Sequence, residues 1–419
     1  MNYQKIKSMG YDIHIINNNK FHTTECRIYF TENVNKELIT YRNALISILT
    51  YATNKYDTKA KLIEKCQDLY SLVPVSSSIR NGNLLTTRFS LSTINSSYIT
   101  KNNLIDNLLL LKEIVLNPLT IEKAFSKKYF NIVKKELEME TKTISEEPRL
   151  YANIKLLKMF DNDKIISGYS DLDILNKMDE KKLYQSYLDM LHKSKIDIFI
   201  SGNIKNTKEI VKVIQDNFVF NNNEYIIDNP VIIHNNKSKL ITKEEIKDYQ
   251  QSKLSMGFKL YDLTDYENRY VTFVFNNLFG GGANSLLMRL VREENSLCYY
   301  ISSYTNRMDN IVIVNSGIDK ENYQKVVDMV KKTIEEIIKG NYSVKDLEEA
   351  KEELLYGLSN VYESNRNIID YYYGMNIYNS TDIDTKIKMI KKVSKEDISS
   401  LAKKINIEGI FFLKGDLWR

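Results

Sequence analysis

Apolar positions along this chain alternate between two rhythms, and the order of those rhythms is repeated. Residues 11–16 and 26–30 read as short strands joined by a polar, Asn-rich turn. Residues 38–51 switch to helical spacing through Leu38, Leu45, Ile48 and Leu49, and stop at the break Ala52-Thr53-Asn54-Lys55. Residues 58–70 form a second amphipathic helix, with Thr58 as N-cap and Leu62, Ile63, Cys66 and Leu69 inward. A strand pair over 73–79 and 84–92 follows, around the turn Arg80-Asn81-Gly82-Asn83. Long helices are predicted over 102–116 and 121–144, a further one from Pro148 past Phe160, and a strand over 196–201.

The order then begins again. Residues 252–259 are a strand, 265–279 a helix, 285–294 a short helix, and 297–304 with 311–317 a strand pair. Helices over 322–338 and 344–370 and a last strand over 410–413 complete it. The glycine break at 280 lies 280 − 52 = 228 positions after the Ala-Thr break, so the chain is a duplication. The N-terminal half is set at 1–220, a linker at 221–245 and the C-terminal half at 246–419.

The densest stretch is VTFVFNNLFGGGANSLLMRLVREENSLCYYISSY, residues 271–304, which reads as helix, glycine turn, short helix, strand. It brings Arg292 and Tyr299 to one helix-to-strand corner. A triple glycine before a helix can cradle phosphate. No Gly-Lys-Ser/Thr follows, and Asn284-Ser285 lacks the lysine of such loops, so a nucleotide site is set aside. Taken alone, a packing turn beside a solvated arginine accounts for the stretch.

Composition narrows the class. Hydrophobic residues make up 43% and charged residues 27%, the balance of a globular protein, and 419 residues suggest two cores. A net charge of +5 set against 59 basic and 54 acidic residues argues against nucleic acid as partner. No apolar run reaches the ~18 residues of a membrane helix, and residues 1–20 have no signal-peptide core. A cytoplasmic protein is expected, with Cys26, Cys66 and Cys298 reduced.

The doubled order, together with FNNLFGGGANSLLMRLVREENSLCYY and its Arg-Glu-x-x-x-Leu-x-Tyr run, resembles the pitrilysin/insulinase family of zinc peptidases. The resemblance covers essentially the whole chain. It implies an α+β fold of two tandem homologous α/β-sandwich domains, each a mixed or antiparallel sheet with helices on one face, in a clam-like arrangement. Active members carry H-x-x-E-H on the first-domain helix, two histidines and a downstream glutamate holding zinc while the motif glutamate acts as base. Counting back from Ala52-Thr53 puts Asn43, Ile46 and Ser47 at those positions. An amide, a hydrocarbon and a hydroxyl are a poor zinc set. His14, His22, His192 and His234 include no i, i+4 pair, so none restores the motif. Glu136, Glu138 and Glu140 are candidates for the downstream carboxylate, with a solvated helix face as the simpler reading. No Ser/His/Asp or Cys/His constellation offers other chemistry.

In this family an arginine and a tyrosine of the second domain bind the substrate backbone and the developing oxyanion. The resemblance assigns these roles to Arg292 and Tyr299. In its heterodimeric members one chain keeps the zinc motif and its sister lacks it. The expectation is therefore a non-zinc-binding subunit of a heterodimeric peptidase for small peptides. It holds no cofactor itself; zinc sits in a sister of similar size, and a weak homodimer forms where the sister is absent. The competing reading is a catalytically dead scaffold or peptide-binding protein of the same fold.

Overall fold

The computed structural model describes residues 2–99, 103–161, 165–220 and 225–416. Two compact units emerge. The first comprises residues 1–142, 168–229 and 361–374, and the second 143–167, 230–360 and 375–419. Each unit therefore takes one short segment from the other half of the sequence.

The first unit is built on a six-stranded sheet in the spatial order Asn2–Ser8, Tyr11–Asn17, Lys195–Gly202, Thr23–Asn33, Leu84–Ile94, Val75–Asn81. The second has five strands in the order Ile241–Lys247, Ile405–Gly415, Ser252–Leu260, Ile311–Ile318, Tyr300–Asn306. Without Asn2–Ser8 the two orders are the same. Each has one parallel pair at corresponding places, Tyr11–Asn17 with Lys195–Gly202 and Ile241–Lys247 with Ile405–Gly415, and antiparallel pairs elsewhere. The duplication is real in the backbone.

Strands 11–17 and 23–33 are not the neighbours that the short turn between them suggests. Lys195–Gly202 pairs with both, and its buried residues Ile196, Ile198 and Ile200 fill the middle of the sheet. The expected linker reaches into the strand Ile241–Lys247, while its first residues, 221–224, lie outside the described residues.

On one sheet face of the first unit, Ala44, Leu45, Ile48 and Leu49 of the helix Lys36–Leu49 join Leu108, Leu111 and Ile114 of Leu104–Leu116 in the main core. Leu62 and Cys66 add the helix Lys59–Asp68, whose Thr58 cap accepts from Lys61 N at 3.3 Å. The opposite face meets residues 361–374. There Tyr373 stacks on Tyr29 with ring centroids 4.1 Å apart, and its hydroxyl is hydrogen-bonded to Thr31 Oγ1 at 2.7 Å. The second sheet is likewise covered twice. Phe275, Phe279, Val326 and Val330 lie in one core, while Leu156 and Phe160 pack with Ile311, Ile313 and Phe411 in the other.

That second layer explains two glycines. A Cβ on Gly257 would lie 2.4 Å from the Phe160 ring, and one on Gly409 2.9 Å from Leu156 Cδ1. The helix Pro148–Lys158 ends before Phe160, sooner than its apolar pattern predicts. Residues 344–370 break at the 3-10 turn Asn360–Glu363 rather than running as one helix.

Candidate functional site

Asn35 caps the helix Lys36–Leu49 by accepting from Leu38 N at 2.8 Å. Spacing i, i+3, i+4 then puts Asn43, Ile46 and Ser47 on one face, and all three are half-buried. The Asn43 amide donates to Ser170 Oγ at 2.7 Å. The Ile46 side chain packs against the core, and its carbonyl accepts from Ser76 Oγ at 2.9 Å. Zinc is held by thiolates, imidazoles and carboxylates, and none of the three side chains is one. The residues present do not fit the metal. One position before Asn43, Arg42 is wholly buried, its Nε and Nη2 donating to Glu32 at 2.6 and 2.7 Å. That buried ion pair ties the helix Lys36–Leu49 to the strand Thr23–Asn33.

Glu136 and Glu140 are exposed on the helix Lys127–Thr143. Glu136 accepts from Tyr51 Oη at 2.5 Å, and burial with that bond pushes the tyrosine up to about 12. Glu138 pairs with Lys142 at 2.5 Å, which lowers its carboxyl pKa. These contacts suit a solvated helix face.

The spacing of the histidines did not foretell His14. It is wholly buried and stacks on Phe199 of the neighbouring strand, ring centroids 4.0 Å apart. Its Nε2 lies 2.9 Å from Asp197 Oδ1 and its Nδ1 2.9 Å from Tyr3 Oη. Asp12, His14 and Asp197 bring potential ligand atoms within 4.8 Å of one another. Lys195 Nζ already sits 2.5 and 2.6 Å from the two Asp197 oxygens, and Lys5 Nζ 3.0 Å from Asp12. Two ammonium groups balance two carboxylates, so a divalent cation would have to displace Lys195. The cluster is an ion network that ties strands 2–8, 11–17 and 195–202 together.

In the second unit the glycine stretch is a run of short helical pieces, three of them wound as π-turns: Glu267–Val271, Asn277–Gly281 and Met288–Glu293. None of Gly280, Gly281 and Gly282 has a positive φ. They are needed for close approach instead. A Cβ on Gly280 would lie 2.8 Å from Ser303 Oγ, and one on Gly282 2.8 Å from Asn277 O and 2.7 Å from Glu353 Oε2. Glu353 accepts from Ala283 N at 3.3 Å, placing a carboxylate where a phosphate cradle would need a cation. The packing-turn reading of the glycines holds.

The corner after the glycines is held from one side. Arg289 donates to Asp346 at 2.8 Å, and that bond pulls the Asp346 carboxyl down to about 2. Asp346 also completes a capping box with Ser343. Arg292, one turn on, is exposed and makes no ion pair among the described residues; its Nη1 meets Met288 Sδ at 3.6 Å. Its charge is felt at Cys298, whose thiol pKa is nonetheless raised by burial, so this cysteine is not an activated nucleophile.

Ser296 turns the chain with φ 51°, and Tyr299 N then bonds Gly317 O at 2.9 Å. The strand begins at Tyr300, three residues later than its aromatic pattern suggests. Tyr299 is 57% exposed, and its hydroxyl donates to Asp319 Oδ1 at 3.0 Å. That bond raises its pKa, keeping the phenol protonated. Tyr300 turns to the other side, half-buried under Arg149, whose guanidinium lies 4.9 Å from the ring. Asp319 went unnoticed in the sequence; the hairpin register, Tyr300 opposite Gly317, is the signal that places it beside Tyr299.

Residues 177–354 match the family described as "Peptidase M16 inactive domain". Over 99% of its length the chain is 26% identical to "Probable inactive metalloprotease YmfF" of Bacillus subtilis (strain 168), covering 98% of that protein. The crystal structure of a conserved protein from Enterococcus faecalis V583 superposes over both full chains with a TM-score of 0.91 at 23% identity. A peptidase M16 inactive domain from Pseudomonas fluorescens does so with a TM-score of 0.77 at 16% identity, over 99% of each chain. The chain thus has the fold of the M16 (pitrilysin/insulinase) peptidases, and its sequence is similar to proteins described as inactive members of that group.

Proposed function

We propose that this chain is the non-zinc-binding subunit of a heterodimeric zinc peptidase acting on small peptides. It supplies Arg292 and Tyr299 to a partner of similar size that carries H-x-x-E-H. One observation carries the reading. The positions that would hold and use zinc have lost every suitable donor, while a guanidinium and a protonated phenol stay exposed on a braced corner.

The planar fork of Arg292 suits a peptide carbonyl or carboxylate. The Tyr299 hydroxyl has a single proton, given to Asp319 in the free chain. An oxyanion is a stronger acceptor when negative charge develops on it, so the phenol switches partner as the reaction proceeds. Asp319 is thus a positioning residue that holds Tyr299 ready. The proposed setting is the cytoplasm; none of the described helices is long and apolar enough to cross a membrane.

A second reading has its own support. The edge strand Val75–Asn81 leaves Val75 and Ile79 exposed, and Ser76 on it touches the vacant motif helix. An open edge with apolar side chains can accept an extended peptide as an added strand, which serves a binding protein as well as an enzyme. Co-purification of the chain with a zinc-bearing sister, followed by a peptide cleavage assay, separates the two. A stable pair in which both chains are needed for cleavage supports the subunit. Peptide binding by the chain alone, with no zinc-bearing partner recovered, supports the scaffold.

A further inference from the structure

Next to Tyr299 in sequence, but on the other side of its strand, the second unit gathers two cations around Tyr300. Tyr300, Gly317 and Lys253 lie side by side across three neighbouring strands, in one row of the sheet. Gly317 is what lets that row close up. A Cβ there would lie 2.5 Å from Tyr300 Cε1 and 2.6 Å from Gln251 Oε1. The Tyr300 ring therefore leans over the glycine toward Gln251, whose Oε1 accepts from Lys253 Nζ. Arg149, in the first turn of the helix Pro148–Lys158, comes over the same ring and donates to Ser302 Oγ at 3.3 Å. Its guanidinium lies 4.9 Å from the ring centroid, and the Lys253 ammonium 5.4 Å.

Neither cation has a carboxylate partner among the described residues; their hydrogen bonds go to a serine hydroxyl and a glutamine oxygen. Arg149 is exposed, and water can serve it. Lys253 is half-buried, and the one charge acting on it is that of Arg149. Burial, and then that like charge, lowers its pKa. The face of the Tyr300 ring attracts a cation but does not neutralise it. The Tyr300 hydroxyl is itself buried without a hydrogen-bond partner, and burial raises its pKa, so it keeps its proton. Two like charges and an unused donor, brought together without a counter-charge, are unfavourable until an anion joins them.

We propose that Arg149, Lys253 and the Tyr300 hydroxyl bind a phosphate group. A doubly charged phosphate balances both cations, and its oxygens can take the guanidinium fork, the ammonium and the phenol together. A carboxylate brings one charge and two oxygens, and so matches the three donors less well. Two sources share the phosphate chemistry: the free inorganic ion and a small phosphate monoester. The site lies on the other side of the strand from Tyr299 and takes no part in the cleavage proposed for that residue.

Calorimetric titration of the full chain at about pH 8, where phosphate is doubly charged, tests this with inorganic phosphate, phenyl phosphate and acetate at constant ionic strength. Phosphate or its ester is expected to saturate one site per chain at millimolar concentration or below. Acetate should bind at least about tenfold more weakly, and added salt should weaken every probe. Lys253→Met and Arg149→Met should each lower phosphate affinity about tenfold or more, and Tyr300→Phe about threefold. Arg149→Met, at an exposed position, keeps the test available should the Lys253 variant fold poorly. Phenyl phosphate that binds as tightly as phosphate and displaces it points to monoesters. Phosphate binding with the ester excluded points to the free ion. No saturable binding of either at millimolar concentration, acetate as tight as phosphate, or wild-type affinity in every folded cation variant overturns the proposal.

Discussion

The two units pass through the same corner with different side chains. In the first, Tyr70 turns the chain with φ 49° and the exposed Leu72 and Val73 lead into the outer strand Val75–Asn81. In the second, Ser296 turns it with φ 51° and the exposed Tyr299 leads into the outer strand Tyr300–Asn306. One backbone presents hydrocarbon, the other an exposed phenol bonded to Asp319. Stability and chemistry are carried by separate sets of residues, so each can be broken without the other.

The largest break in stability should come from Arg42. Arg42→Met leaves Glu32 buried and unpaired, and is expected to cost about 3–5 kcal/mol in denaturant unfolding. Adding Glu32→Met should recover much of that, because the penalty is the stranded charge. A loss under 1 kcal/mol in the single variant would show that the motif helix is not anchored there.

Next come the turns that define the repeat. Gly280→Ala should cost about 1–3 kcal/mol, since the new methyl meets Ser303 Oγ and Leu287 Cδ1 inside 3 Å and both are held by packing. Its counterpart Ala52 already carries that methyl, and Ala52→Gly should cost only about 0.5–1 kcal/mol. Equal costs would mean that the two turns are packed alike.

The smallest effect concerns the brace. The Asp346 pKa is depressed in the folded chain to about 2, so its contribution is present above the ordinary carboxylate pKa and is lost as pH falls toward 2. Arg289 is partly exposed, which limits the pair to about 1 kcal/mol or less. Arg289→Met should therefore lower stability at pH 7 by that amount and have almost no effect at pH 2. A loss that is the same at both would assign Arg289 to packing.

Much of this was legible in the chain. The Thr58 cap, the repeated element order and the glycine packing turn follow from pattern, because caps, turns and periodicity leave their mark in the sequence itself; that Asn43, Ile46 and Ser47 stand at zinc-motif positions is what the family resemblance implies. The strand Asn2–Ser8 was not, since it is an edge strand mostly exposed and carries no apolar alternation. Insertion of Lys195–Gly202 between strands 11–17 and 23–33 is a long-range pairing with no local mark. The π-turns share the apolar spacing of an α-helix closely enough to be read as one. Tyr3–His14–Asp197 and Tyr299–Asp319 join residues far apart or across a hairpin, and only the register brings them together.

The central claim, that the second unit keeps working chemistry in a chain that has lost its own, is tested most directly by turnover of the reconstituted pair. With the zinc-bearing sister unchanged, Tyr299→Phe should lower peptide cleavage by about 10²–10³-fold while complex formation and the sister's zinc content stay intact. Tyr300→Phe, on the other side of the strand, should leave turnover near wild type. Wild-type cleavage by Tyr299→Phe, or by Arg292→Lys beside it, would contradict the account and leave the corner a structural relic.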